Sequence, residues 1–329
     1  MENYQQTITV SICMVTYNHE PYIRQAVEGV LMQQTNFEYN LIIANDCSTD
    51  RTDEVVREIL STHPKRNLIK YTNNDKNKGM MLNGMCAWKE CNSKYIAFCD
   101  GDDYWTDSYK LQKQVDFLEV NTEYNVCCHS VIDLYETGEM HIPKIDLHTF
   151  KSNYSFEDLV DSNFIYSVSV IYRNTVVKEL PGWFLDSPVG DYVLHLLHAH
   201  NSKIAYLPDI MAVYRRNKGG VWSSQNGSYK VLRFKWLIDK LDEYFDFKYH
   251  NRFYSKYFLD NYFRSQLFIN RENRELLLYL KLWLKYTTYN KIVKNSFGYY
   301  YLLLKQYFKS KKELQSNHKI STQNGFKNI

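Results

Sequence analysis

Tyr95-Ile96-Ala97-Phe98-Cys99-Asp100-Gly101-Asp102-Asp103-Tyr104-Trp105 runs from an apolar stretch of strand length into three carboxylates within four residues, and closes on an aromatic pair. An unbroken apolar run bounded by turn residues reads as a strand buried on both faces, as in parallel sheets. The carboxylates behind it repel one another unless a cation or basic partner sits among them. A solvated acidic turn is the simpler alternative, and Asp100-Gly101 alone would suit one. It accounts neither for the buried strand before the cluster nor for the large aromatic pair after it. Mg2+ and Mn2+ are hard cations that bind through one or two carboxylates plus substrate phosphates. The stretch therefore predicts a strand whose carboxyl end holds Mn2+ or Mg2+ together with a diphosphate.

Upstream, strand and helix alternate. Residues 8–15 form an apolar run ending at Thr16-Tyr17-Asn18, and a helix fits 21–34, with Asn18 or His19 near its cap and Pro21 in its first turn. A second buried strand over 39–44 ends at Asn45-Asp46-Cys47-Ser48-Thr49-Asp50, and helix follows to about Ser61 with Asp53 and Glu54 in its first turn. A third strand is expected over 67–72, a helix over 83–91 and the fourth strand over 94–99. Strands without alternation, separated by helices, indicate a parallel sheet covered on both faces, and such sheets bind ligands beyond their carboxyl ends. The polar clusters 16–18, 45–50 and 100–103 all fall at that edge.

Downstream, residues 125–224 mix short strands (167–172, 204–207, 211–215) with a helix over 191–200. Beyond Ser228 the pattern turns helical and aromatic, and the polar tail after Gln315 reads as disordered. With 329 residues and 44% hydrophobic content, one large domain plus an appendage fits best. A net charge of +3 gives no case for nucleic acid as a partner. The seven cysteines form no CxxC pair, which argues against zinc and against a disulfide framework, and fits reduced thiols.

The chain resembles the family-2 inverting glycosyltransferases with the GT-A fold. The resemblance is carried by Val10-Ser11-Ile12-Cys13-Met14-Val15-Thr16-Tyr17-Asn18, by Ile42-Ile43-Ala44-Asn45-Asp46-Cys47-Ser48-Thr49-Asp50 and by the acidic stretch, in that order and spacing. It implies an α/β GT-A fold, Rossmann-like, with a mostly parallel sheet and helices on both faces, followed by a helical C-terminal region. The expected division is a catalytic domain over 1–226 (nucleotide-binding half 1–107, acceptor-binding half 108–226), a helical, aromatic and basic region over 227–315, and a tail over 316–329. The implied donor is a nucleotide-diphosphate sugar, with Thr16, Tyr17 and Asn18 bordering the nucleotide and Asp46 accepting from the base. Asp100, Gly101 and Asp102 form the DxD motif. Asp102 and Asp103 are the expected metal residues, and the division of roles among Asp100, Asp102 and Asp103 stays open. Two departures stand out. The family's Asp-Asp-Gly reads Asn45-Asp46-Cys47 here, and no Arg follows the loop around Gly79, so Lys78 is the nearest cation for the phosphates.

Inversion in one displacement needs a carboxylate to take the acceptor's proton. Asp191, in Pro188-Val189-Gly190-Asp191-Tyr192, begins a helical run, where Asp is commonly an N-cap. The resemblance assigns it the catalytic base instead. His195, His198 and His200 read as surface or core residues. Residues 211–224 carry Arg215, Arg216, Lys218, two glycines and Trp222, and read as a cationic loop able to close over a diphosphate, or as a basic hairpin. Relatives often carry a His near Asn217; this chain does not.

From Lys281 to Lys312 there are eight Lys and no acid, interleaved with Tyr and Trp. That composition suits contact with an anionic membrane surface near a lipid-linked acceptor, and equally a helical bundle with a wet basic face. The start of the chain lacks a secretory pattern and no run of about 18 apolar residues occurs. The expectation is a cytoplasmic protein, peripheral on the inner face of the membrane if the basic region binds lipid. Two competing functions are a sugar nucleotidyltransferase and a catalytically inactive scaffold of the same fold. The first would want a Gly-rich, Arg-containing loop where Thr16-Tyr17-Asn18-His19-Glu20 stands. The retained Asp102, Asp103 and Asp191 count against the second.

Overall fold

In the computed structural model, which describes residues 9–143, 151–174, 180–217 and 227–253, the first seven main elements alternate as expected. They are β1 (Val10–Thr16), α1 (Ile23–Leu31), β2 (Tyr39–Asn45), α2 (Thr52–Thr62), β3 (Ile69–Asn73), α3 (Met80–Lys89) and β4 (Tyr95–Phe98). β1 lies parallel between β2 and β4, and β3 extends the sheet beyond β2. One face of these strands (Val10, Ile12, Met14, Leu41, Ile43, Tyr95, Ala97) shares a core with Ile23, Ala26, Val27 and Val30 of α1 and with Val56 and Ile59 of α2. Cys13, Ile42 and Ile96 on the other face are also buried. Burial on both faces is why β1, β2 and β4 show no alternation, whereas β3, at the edge of the sheet, is half-buried or exposed throughout. The first helix starts at Ile23 rather than 21, because Tyr22 and Ile23 both donate to the His19 carbonyl in a turn that carries Pro21.

The second half adds β5 (Tyr104–Trp105), α4 (Lys110–Val120), β6 (Tyr124–Tyr135), β7 (Met140–His141), β8 (Asn153–Tyr154), α5 (Phe156–Asp161), β9 (Ile171–Arg173), α6 (Asp191–Ala199) and β10 (Lys203–Arg216). The sheet order is β3-β2-β1-β4-β9-β6-β10-β5, with β7 on β6 and β8 on β10. β9 is antiparallel to both β4 and β6, while β10 runs parallel to β6 and antiparallel to β5. The sheet is thus parallel through its first four strands and mixed beyond them. The two strands expected over 204–207 and 211–215 are one strand, β10. Pro208 lies inside it where the register to β6 shifts, so the missing N–H is taken up in a bulge.

α4 is fixed from within. Lys110 is fully buried, with Nζ 4.1 Å from the Trp105 ring and donating to Gln114 Oε1 at 2.7 Å. Gln114 in turn donates to the carbonyls of Cys127 and Ser169. Burial pushes the Lys110 ammonium down to about 7.

α7 (Gly227–Tyr244) and α8 (His250–Phe253) belong to the same compact unit as the sheet, which ends at Phe253. Phe245 and Tyr249 pack on Phe156 of α5, and Leu237 and Leu241 are buried. A second unit, Tyr254–Ile329, lies outside the described residues, and with it the lysine-rich segment 281–312 and the tail 316–329. Among the described residues no helix is long and apolar enough to cross a membrane.

Candidate active site

Backbone hydrogen bonds beyond the ladders tie the carboxyl ends of the first strands together. Asp46 N–H donates to Thr16 O at 2.9 Å, Gly101 N–H to Val15 O at 2.9 Å, and Asn74 N–H to Asn45 O at 2.9 Å. The three expected polar clusters therefore share one edge, and the bonds within them show which side chains are already engaged. Asn18 Oδ1 accepts from Thr49 N–H at 2.8 Å while its own N–H donates to Ser48 Oγ, so Asn18 braces the loop after β2. Asn45 Oδ1 accepts from the Ser48 backbone and hydroxyl, and its amide donates to Tyr71 Oη. That turn passes through Cys47 at φ +61°, the left-handed conformation that suits the glycine missing from this sequence.

Asp46 is 3% exposed and holds the next loop. Its Oδ1 accepts from Lys78 N–H at 2.7 Å and Asn74 Nδ2 at 3.1 Å, and its Oδ2 accepts from Gly79 N–H at 2.8 Å. Gly79 has φ +83° and leads directly into α3. Lys78 itself is exposed, with Nζ on Asn74 Oδ1. Tyr17 is exposed and Thr16 is buried beneath it.

The acidic turn separates its three carboxylates. Asp103 is buried, and its Oδ1 accepts the backbone N–H of Arg215 at 2.7 Å. Burial and the charge of Asp102 push its carboxyl well above the usual range. Asp102 keeps a partly exposed side chain, with Asn217 Nδ2 at 3.1 Å and His19 Nε2 at 3.9 Å from its Oδ2. Burial, then the charges of Asp102 and Asp191, push Asp100 up to about 8. Gly101 is needed for space: a Cβ there would lie 2.6 Å from Thr16 Oγ1 and 2.9 Å from His19 Nδ1. Both of those atoms are buried without a hydrogen-bond partner. Burial lowers the His19 pKa, against the pull of Asp102.

Arg215, expected both at the end of a strand over 211–215 and in a cationic segment, is the penultimate residue of β10. Its guanidinium donates to the Asp102 carbonyl and to Gln25 Oε1, and lies over the rings of Tyr104 at 4.5 Å and Tyr22 at 4.9 Å. Arg216 forms a two-bond pair with Asp133. Residues 218–224 of that segment lie outside the described residues. Tyr214 is a neighbour the sequence did not mark: burial, then Asp103, and further Asp191 and Asp102, push its hydroxyl up, so its ring sits in the field of all three carboxylates.

Asp191 enters from the other half of the chain. It is the first residue of α6, with Gly190 in the capping position, and its Oδ1 accepts the N–H of Tyr192 at 2.7 Å. An N-cap side chain would accept from the second or third helical N–H. Tyr192 carries that second N–H, so Asp191 bonds the start of the helix from its first position, one residue inside the cap. Burial raises the Asp191 pKa against hydrogen bonds from the backbone of Tyr192 and of Asp191 itself. A Cβ on Gly190 would touch Met81 at 3.4 Å, which sets the start of α6 against the start of α3. Behind it, His195 and His198 are core residues: Tyr172 Oη bonds His195 Nδ1, and His198 stacks on the Tyr172 ring at 4.1 Å.

Asp100 is thus within electrostatic reach of both Asp102 and Asp191. Among the described residues no three His, Cys, Asp or Glu side chains form a metal-binding group.

Comparison with known proteins gives the family and the fold. The family model "Glycosyl transferase family 2" matches residues 11–180. An uncharacterized protein of Mycobacterium tuberculosis is 37% identical over 220 residues, covering 65% of this chain and 61% of that protein. The chain therefore spans about three-fifths of the length of that relative. The crystal structure of Staphylococcus aureus TarS 1-349 in complex with UDP-GlcNAc matches with a TM-score of 0.55 and 19% identity, over 78% of this chain and 79% of the other. TarS is a poly(ribitol-phosphate) beta-N-acetylglucosaminyltransferase. The mannosyltransferase PcManGT from Pyrobaculum calidifontis, in complex with GDP-Man and Mn2+, matches with a TM-score of 0.57 and 15% identity, over 86% and 81%. At these identities the two structures speak for the fold, and they agree with the GT-A architecture.

Proposed function

The chain belongs to glycosyltransferase family 2, and on that premise we propose that it moves a sugar, with inversion, from a nucleotide-diphosphate sugar to a hydroxyl of a glycan or lipid-linked acceptor in cell-surface polysaccharide synthesis. One observation carries the reading. Asp100 and Asp102 at the end of β4 and Asp191 at the start of α6 lie close enough that Asp102 and Asp191 both raise the proton affinity of Asp100. Carboxylates brought together from distant parts of a chain are costly unless a cation or a reaction uses them. TarS and PcManGT, whose structures hold UDP-GlcNAc and GDP-Man with Mn2+, support a nucleotide-sugar donor and a divalent ion.

Each residue has a part in this reading. Asp102 faces the ion, Mn2+ or Mg2+, which when bound stabilises the charge of the departing diphosphate. Asp103 and Arg215 hold the turn that presents it. Thr16 and Tyr17 border the nucleotide, while Asn18 and Asp46 shape the two loops beside it. Lys78, exposed at the loop before α3, stands on the phosphate side. Asp191 accepts the acceptor's proton; burial makes it a stronger base than a free Asp, and the amino end of α6 favours its ionised form. The protein works in the cytoplasm on this reading, with its basic C-terminal region against an anionic membrane. Sedimentation of the full chain with anionic and with neutral vesicles tests that last point, and equal binding to both would remove it.

The deciding experiment measures nucleotide release from a panel of donor sugars with Mn2+, with and without acceptor glycans. Acceptor-dependent release with a β-linked product from an α-linked donor is expected. Retention of configuration would overturn the inverting assignment, and formation of a sugar nucleotide from sugar phosphate would favour a nucleotidyltransferase.

A further inference from the structure

We propose that His19 is a protein ligand of the divalent ion, binding through Nε2 beside Asp102. The inference rests on the reading of Asp102 as the residue facing the ion, and adds a ligand to it. His19 sits in the turn after β1, and pairing of β1 with β4 brings it against the acidic turn. Its Nε2 lies 3.9 Å from Asp102 Oδ2, and both side chains are partly exposed, at 23% and 22%. An ion about 2.1 Å from each atom needs them no more than about 4.2 Å apart. The observed spacing meets that limit.

A second observation points the same way. Thr16 is 2% exposed, yet its Oγ1 has no hydrogen-bond partner, and neither has the buried His19 Nδ1. Unpaired buried polar atoms are uncommon and costly. Both lie within 2.9 Å of the Cβ position that Gly101 leaves empty. A proton on Nδ1 leaves the Nε2 lone pair for the ion, the arrangement usual for metal-bound histidines. Asn217 Nδ2 donates to the same Asp102 oxygen at 3.1 Å, so the amide orients the carboxylate while the imidazole shares the ion. An imidazole ligand also favours Mn2+ over Mg2+, which prefers oxygen throughout.

The test is pulsed EPR of Mn2+ with the full chain, alone and with inorganic pyrophosphate as the diphosphate probe, on protein carrying natural or 15N-labelled histidine. Directly bound nitrogen modulation that changes on 15N-histidine labelling is expected in the wild type, a measurement that needs no variant. His19→Gln should lose that modulation and weaken Mn2+ binding about 10-fold or more, narrowing the preference over Mg2+. Mn2+ bound in an Asp102-dependent way without histidine nitrogen, or with unchanged affinity in His19→Gln, overturns the ligand while leaving the Asp102 site standing. Mn2+ binding that survives Asp102→Asn, or no binding at all, overturns both.

Discussion

Asp103 Oδ1 accepts the backbone N–H of Arg215 at 2.7 Å, joining the acidic turn after β4 to the end of β10. The Arg215 side chain returns to the Asp102 carbonyl, so the two segments hold each other by backbone and side chain. Asp103 is thereby engaged inward. Asp103→Asn keeps an oxygen for the Arg215 N–H and should leave Mn2+ binding close to wild type by calorimetry. Asp103→Ala strands that buried N–H and should cost about 1–3 kcal/mol in chemical unfolding. Loss of Mn2+ binding in the well-folded Asn variant would instead make Asp103 a ligand.

Asp191→Asn preserves shape and the bond to Tyr192. Turnover should fall about 10²–10⁴-fold at saturating donor and Mn2+, with donor affinity little changed. A drop of only a few-fold would move the search to Asp186, nearest in sequence on the same side.

Cys47 sits at φ +61° in the turn that Asn45 and Ser48 close. A left-handed conformation costs a side-chain-bearing residue about 1–2 kcal/mol, and Gly escapes it at some cost in chain entropy. Cys47→Gly should leave the melting temperature unchanged or raise it. Cys47→Val should lower it, because a β-branched residue is least at ease there. The opposite order would mean that the thiol's packing outweighs the backbone.

Lys110 gives stability a pH dependence of known sign. Its folded pKa is about 7, against 10.5 for a free lysine. Below pH 7 the buried ammonium costs its full penalty, and between 7 and 10.5 that penalty fades as the folded state sheds its proton first. Unfolding free energy should therefore climb from pH 7 to 9, by up to about 1.4 kcal/mol per unit. Lys110→Met should flatten the climb and be the more stable protein at neutral pH. A wild-type curve that stays level over this range would show that Lys110 is not desolvated as the structure has it.

Strands β1, β2 and β4 were legible in the sequence because each is a largely apolar run, and the site's acidic residues because each follows a strand or opens a helix. β6 was not. Its 12 residues include Asn125, His129, Ser130 and Asp133, and two of these find distant partners only once the chain is folded, Ser130 with the Tyr206 hydroxyl and Asp133 with Arg216. Pro208 likewise hid the continuity of β10. Roles were harder to see than places. Asp46, Asn18 and Arg215 stand at the expected edge, but their hydrogen bonds brace loops, and no spacing rule distinguishes a brace from a contact. His19 carried no signal by itself, since its nearness to Asp102 depends on the pairing of β1 with β4.

The bulge in β10 has a consequence for how this site can change. Leu207 pairs with His129 and Ala212 with Val131, so five steps along β10 match two along β6. The difference is odd, and side chains alternate along a strand, so the bulge inverts the phase of everything after it. Tyr214 turns toward the carboxylates and Arg216 toward Asp133 only in that phase. Insertion or deletion of one residue between Leu207 and Ala212 would rotate both away with no substitution at the site at all. The bulge is a frame marker, and its length is as much part of the acidic site as the acids are.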